Sequence, residues 1–180
     1  MSHLIPRLPV PSLSLNTVDG QPWILSDRHP ENFTLLVFYR GLHCPICKLY
    51  LNDLQRRLPD FALRGVEVIA ISGDDRQRAQ RTREEWELSE LTLGYGLTIS
   101  KAREWGLYIS EGIGTNSAGI EEPQRFNEPG LFLVRPDGTL YSASVQTMPF
   151  ARPNFGELLK ALDMILEKDY PARGEACCGR

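Results

Sequence analysis

A chain of 180 residues is long enough for one well-packed domain or two small ones, and 42% apolar with 24% charged residues is the balance of an ordinary globular protein. Twenty basic against 23 acidic side chains leave a net charge of −3, which offers no footing for a nucleic-acid or anionic-membrane partner. No apolar run reaches the ~18 residues of a membrane span, and the opening MSHLIPRLPVPSLSL lacks the apolar block of a leader, so a cytoplasmic protein is expected.

The chain opens with Pro6, Pro9 and Pro11 between leucines, which predicts an extended arm on the body. Leu13 and Leu15 alternate with serines as a short strand. Val18-Asp19-Gly20-Gln21-Pro22 then turns the chain, and Trp23-Ile24-Leu25 returns it as a hairpin. Residues 26–30 form a loop into the stretch that organises the rest.

That stretch is FTLLVFYRGLHCPICKLYLNDLQRRL, residues 33–58. Its apolar, aromatic-rich start, 33–39, predicts a buried strand. Ile46, Leu49, Tyr50, Leu54 and Leu58 recur at helical spacing and predict an amphipathic helix. Cys44 falls at its N-cap and Pro45 at its first position, where a missing N–H costs nothing. Cys47 follows one turn later, so the two sulfurs face each other where first-turn N–H groups and the helix dipole favour a thiolate. Two cysteines so placed can close a disulfide with little movement. The pair predicts redox work, against inert core thiols or part of a zinc site.

Pro59 and Asp60 are expected to break the helix. Residues 66–72 read as a second strand with the continuous apolar content of a buried parallel one, completing a βαβ unit. Gly73-Asp74-Asp75 caps a charged helix running to about Glu90, with Arg81–Glu85 and Arg83–Glu87 four apart on a solvated face. Residues 93–98 predict a short strand, and Ser100 caps a small helix through Trp105. Residues 106–127, with four glycines and Pro123, predict a long loop that gates the site. Residues 131–134 and 140–145 predict a hairpin around Pro136-Asp137-Gly138-Thr139. Phe155 to Lys168 is an amphipathic helix, and residues 169–180 a flexible tail. There is no repeat and no linker, so one domain is expected. Trp23, Trp86 and Trp105 read as packing residues.

In this order of elements the chain resembles the thioredoxin-fold superfamily. Within it, the chain resembles the peroxiredoxin-like branch, the alkyl hydroperoxide reductase/thiol-specific antioxidant group, over roughly residues 10–168. Three pieces carry the likeness: Phe38-Tyr39-Arg40-Gly41-Leu42-His43-Cys44-Pro45-Ile46-Cys47, Pro129-Gly130-Leu131-Phe132-Leu133-Val134 with Asp137-Gly138, and Pro149-Phe150-Ala151-Arg152. The resemblance implies an α/β thioredoxin fold, a central mixed sheet flanked by helices, here with an N-terminal hairpin extension. It implies a cis-proline at Pro129 facing the cysteines, and a family arginine at Arg152.

The departures are specific. Where peroxiredoxins carry a proline and a threonine or serine ahead of the peroxide-reactive cysteine, this chain has Arg40 and Cys44, with Cys47 as that cysteine. Another family arginine has Pro129 in its place. The CPIC motif draws the site towards dithiol exchange.

The candidate site residues are therefore Cys44, Cys47, Pro129, Arg152, Arg40 and His43. His43 can stabilise the Cys44 thiolate, and the two arginines can supply charge to a thiolate or a peroxide oxygen. The resemblance implies reduction of a peroxide through the Cys44/Cys47 dithiol, with a thioredoxin- or glutaredoxin-like protein as reductant. A thioredoxin-like thiol–disulfide oxidoreductase is the alternative, with the more exposed Cys44 attacking first. A non-catalytic redox-sensing or metal-binding module is a third reading. No cofactor or resident metal is expected. A homodimer and a relay role for Cys177 and Cys178 stay open.

Overall fold

The computed structural model describes residues 4–176. Its centre is β3, Phe33–Phe38, buried along its whole length. On one side β3 pairs in parallel with β4, Val66–Ile71, in unbroken register from Phe33↔Val66 to Phe38↔Ile71. On the other it pairs antiparallel with β8, Gly130–Val134. β5, Leu93–Tyr95, extends the sheet beyond β4, and β9, Leu140–Val145, closes the edge beyond β8. The expected N-terminal hairpin, β1 Ser14–Thr17 and β2 Pro22–Ile24, joins through β5. The sheet order is β2-β1-β5-β4-β3-β8-β9, a mixed sheet flanked by helices with the hairpin as its N-terminal extension, as expected.

Successive side chains of a strand face opposite ways, so one strand builds two cores. Leu35, Val37 and Tyr39 point into a cluster with Cys44, Cys47, Leu51, Leu54, Phe155 and Leu159. Leu36 and Phe38 point into the other, with Trp105, Phe132 and Leu13. There the Phe38 and Phe132 rings meet edge-on at 5.5 Å, the arrangement ring quadrupoles prefer. The three tryptophans pack as expected, each at most 4% exposed.

Helix α1 is Pro45–Arg56, capped by Cys44. Its inward stripe is Cys47, Leu51 and Leu54, with Ile46, Tyr50 and Leu58 at its margin. Leu49, expected inside, is exposed, because the stripe is centred on Cys47, on the flank away from Leu49. α1 does end just ahead of Pro59, at Arg56, but Pro59 and Asp60 open a second helix rather than a loop. Pro59 lies in the first turn of α2, Leu58–Ala62, where proline needs no partner. Helix α3 is Arg76–Glu85, capped by Asp75, and stops short of Glu90 because Glu87 takes φ 57°. Arg81 pairs with Glu85 as expected, but Arg83 reaches Asp19 instead of Glu87. Helix α4, Ile99–Glu104, is capped by Thr98, two residues before Ser100, since the Thr98 hydroxyl accepts the Lys101 N–H at 3.1 Å.

Residues 106–127 are not a plain loop. β6, Ile109–Glu111, and β7, Arg125–Asn127, pair antiparallel as a separate two-stranded sheet. Helix α5, Phe155–Lys168, has the expected bounds and buries Phe155, Leu159 and Leu162. The N-terminal arm runs beside the β8–β9 turn, with Arg7 N–H on Leu140 O at 2.7 Å and Val10 N–H on Gly138 O at 3.0 Å. The described part of the tail is tied down rather than loose. The Arg7 guanidinium grips Ala172 O at 2.9 and 2.7 Å, and the Tyr141 hydroxyl donates to Tyr170 O. Cys177 and Cys178 lie outside the described residues.

Candidate active site

The site begins where β3 ends. Tyr39 continues the strand direction, its N–H on Ile71 O at 2.9 Å. Gly41 then takes φ 126°, a conformation a Cβ would strain. The chain reverses there and delivers Cys44 to the head of α1. Cys44 has extended dihedrals, φ −106° and ψ 98°, and its Sγ accepts the Cys47 N–H at 3.3 Å. The sulfur thus fills the role a cap oxygen usually takes. Both thiols are free and buried, Cys44 3% and Cys47 0% exposed. The more exposed Cys44 of the exchange reading is therefore only marginally so.

The Cys44 thiol is brought down to about 7. The largest cause is the hydrogen bond from the Cys47 side chain, followed by the Cys47 backbone N–H and the charges of Arg152 and Arg40, all against the cost of burial. Cys47 is pushed well above the usual thiol range, first by burial and then by Cys44 beside it. Two thiolates in contact repel, so the pair gives up one proton readily and holds the second.

Arg152 reaches the pair from the segment before α5. Its Nη2 donates to Cys47 Sγ at 3.1 Å, and its Nε to Pro149 O at 2.9 Å. The guanidinium lies 4.6 Å over the Tyr50 ring, whose hydroxyl donates to Pro153 O at 2.6 Å. Nη1 is buried and has no partner. A small cavity of about 10 Å³ lies beside Arg152, bordered also by Tyr50, Pro129, Ser144 and Gln146. A space of that size holds about one water-sized molecule.

The other expected residues fare differently. Arg40 commits its guanidinium to a bidentate pair with Glu128, both bonds 2.8 Å, stacks 5.4 Å over Phe126, and acts on Cys44 through its charge. Glu128 is 1% exposed, so its charge is compensated where it is buried. His43 follows the turn inwards, packs 4.5 Å from the Phe126 ring and is 2% exposed. Burial, helped by Arg78 and Arg40, lowers it to about 4. Its imidazole is therefore neutral near pH 7, and it brings no positive charge to the Cys44 thiolate. Pro129 does border the cavity at Arg152, but no peptide bond among the described residues is cis. The chain is pinned on both sides of it in a trans course, by Glu128 N–H on Tyr108 O at 2.8 Å and Gln146 N–H on Pro129 O at 2.9 Å.

Three residues of the site escaped the sequence reading. Asp74 accepts the Leu42 N–H at 2.8 Å, Asn116 donates its side-chain amide to His43 O, and Asn127 donates to Tyr39 O at 3.1 Å. All three serve backbone groups of the turn, and no motif advertises that. The Asp-Asp pair at 74–75 was the available signal, since only one of the two can cap α3. No group of three or more potential metal ligands occurs among the described residues. No helix there is long and apolar enough to cross a membrane.

A mixed sheet with a cysteine pair at the head of the helix after its central strand marks a thioredoxin-fold oxidoreductase of the peroxiredoxin-like or disulfide-exchanging type. The model of the AhpC/TSA family matches residues 6–143, and the chain belongs to that family. No curated protein matches it by sequence. Among solved structures it is similar to the peroxidoxin BcpB of Mycobacterium tuberculosis, at 18% identity and a TM-score of 0.70, over 91% of this chain and 99% of that one. It is also similar to a mutant of peroxiredoxin 6 of Arenicola marina, at 17% identity and 0.72, over 93% and 76%. A putative thiol:disulfide interchange protein DsbE of Chlorobium tepidum superposes at 18% identity and 0.64, over 90% and 97%. At these identities the likeness is one of fold.

Proposed function

We propose that the chain reduces hydroperoxides through the Cys44–Cys47 pair. The observation that carries this reading is Arg152, which touches Cys47 Sγ with one amino group and keeps the other buried and unpartnered. A free donor beside a sulfur suits the oxygen of an incoming peroxide.

The cycle balances as follows. Cys47, as thiolate, attacks one peroxide oxygen. The O–O bond breaks, the leaving oxygen takes a proton from solvent and departs as an alcohol or water, and Cys47 becomes a sulfenic acid. Cys44 sits on Cys47 and takes up the Cys47 proton as the attack proceeds. Its sulfur then displaces the hydroxyl as water, forming the Cys44–Cys47 disulfide. An external dithiol of the thioredoxin or glutaredoxin kind supplies two electrons and two protons and restores both thiols. A reducing, cytoplasmic setting suits this cycle, which needs neither cofactor nor metal.

The second reading, disulfide exchange led by Cys44, is favoured by the lowered Cys44 thiol. Burial does not separate the two, because both cycles need a partner thiol to reach a pair of which Cys44 is 3% exposed. Hydrogen peroxide consumption with a thioredoxin system, measured beside insulin-disulfide reduction, separates the two. Peroxide turnover with little insulin reduction is expected. Insulin reduction without peroxide turnover sinks the proposal.

A further inference from the structure

Residues 39–43 belong to no helix or strand, so their backbone groups need partners from elsewhere. Asp74 supplies a central one. Its side chain is wholly buried, Oδ2 accepts the Leu42 N–H at 2.8 Å, and Oδ1 accepts Arg78 Nε at 3.0 Å. Arg78 Nη2 passes on to Glu121 O at 3.2 Å, in the loop between β6 and β7. Gly41 and the carboxylate are fitted to each other: a Cβ on Gly41 would lie 2.7 Å from Asp74 Oδ2. The Gly41 carbonyl in turn accepts the Cys44 N–H at 3.1 Å. A chain of contacts thus runs from Asp74, through Leu42 and Gly41, to the cysteine that caps α1.

We propose that Asp74 is a positioning residue for the dithiol: its carboxylate fixes the Gly41–Leu42 turn, so that the Cys44 sulfur arrives on the Cys47 N–H. This rests on the dithiol reading above and deepens it. The charged groups around the carboxylate are Arg78 and Asp75, and those around Cys44 are Cys47, Arg152 and Arg40. His43, next in the chain, is neutral near pH 7.

The direction of change discriminates. Were Asp74 only a nearby negative charge, neutralising it would make the Cys44 thiolate easier to form. If it positions the cap, losing it deprives the thiolate of its N–H donor and makes it harder to form.

The test is pH-dependent alkylation of Cys44, followed by mass spectrometry of its peptide, in wild type, Asp74→Asn and Asp74→Ala. Leu162→Ala, a core change that removes no hydrogen bond of the turn, is the control for lost stability. The midpoint of Cys44 alkylation is expected to rise by about one pH unit in Asp74→Ala, which lowers the rate at pH 7 by roughly five-fold. It is expected to stay put in Leu162→Ala, and not to rise in Asp74→Asn, whose side-chain oxygen still accepts the Leu42 N–H once the charge is gone. A midpoint unchanged or lowered in folded Asp74→Ala overturns the proposal. If Asp74→Ala does not fold, Asp74→Leu, which fills the space without an acceptor, decides by the same criterion. Alkylation needs no turnover. A wild type that consumes no peroxide but shows the Asp74 shift removes the peroxide reading alone, and active variants without the shift remove this one alone.

Discussion

At the scale of single residues, the proposed cycle rests on Arg152 and the cysteine pair. Arg152 holds Pro149 O, Tyr50 and Cys47 Sγ with one planar group, a geometry lysine cannot copy. Arg152→Lys keeps the charge and is expected to slow sulfenic acid formation on Cys47 by roughly 10²-fold, the loss typical of one oxyanion donor. Stopped-flow measurement with hydrogen peroxide checks it, and a rate within about three-fold of wild type would remove Arg152 from the mechanism. The buried His43 predicts an acid-sensitive fold. Its folded-state pKa of about 4 lies below its unfolded value of 6.5, so the unfolded chain binds a proton that the folded chain refuses. Stability is full above about 6.5 and falls between about 6.5 and 4. The loss at pH 5 is about 2 kcal/mol, and His43→Phe is expected to abolish that pH dependence in urea titrations at pH 7 and pH 5. That Cys44, Cys47 and Arg152 meet at the head of α1 was legible in the sequence, because cap position, spacing and resemblance agree on it. The burial of His43 and the pairing of Arg40 with Glu128 were not, because both depend on where β7 brings Phe126 and Glu128.

At the scale of elements, the site is the joint between β3 and α1, closed over by the β6–β7 loop. That loop is tied to the turn by Asn116, which also folds its own loop by accepting Ala118 and Ile120 N–H at 2.9 Å each. Asn116→Ala is expected to speed amide exchange across residues 113–122 at least ten-fold while leaving α1 protected. Equal protection in both proteins would show that Asn116 does not hold the loop. The strands and α5 were legible because their periodicity is local: β3 is apolar throughout, and α5 shows Phe155, Leu159 and Leu162 along one face. The β6–β7 pair was hidden because each strand has three residues and the pairing spans the four-glycine stretch. The start of α2 and the end of α3 were missed for reasons of backbone geometry. A proline suits the first turn of a new helix as well as it ends an old one, and the left-handed Glu87 carries no sequence mark.

At the scale of the whole molecule, the sheet has a reactive end and a closed end. Cys44 and Cys47 lie beyond Phe38, which pairs with Gly130 and so with Val145. The arm and the tail meet at the other end of the same strands, around Leu140, Arg7 and Ala172. Arg7→Ala removes the anchor, and limited proteolysis is expected to cut the tail after Arg173 faster in that variant than in wild type. The order of elements was readable in the sequence because hydrophobic pattern and turn residues agree with it throughout. The docking of arm on tail was not, since it depends on two backbone carbonyls and one guanidinium.

The central claim is that Cys47, held by Arg152, is the sulfur that meets peroxide, and Cys44 the one that closes the disulfide. Its most direct test is mass-spectrometric mapping of wild type, Cys44→Ser and Cys47→Ser after a brief pulse of hydrogen peroxide with a sulfenic-acid trap. The account predicts a Cys44–Cys47 disulfide in wild type, a trapped sulfenic acid on Cys47 in Cys44→Ser, and little oxidation of Cys44 in Cys47→Ser. A sulfenic acid that forms on Cys44 as fast without Cys47 as the disulfide forms in wild type would contradict it.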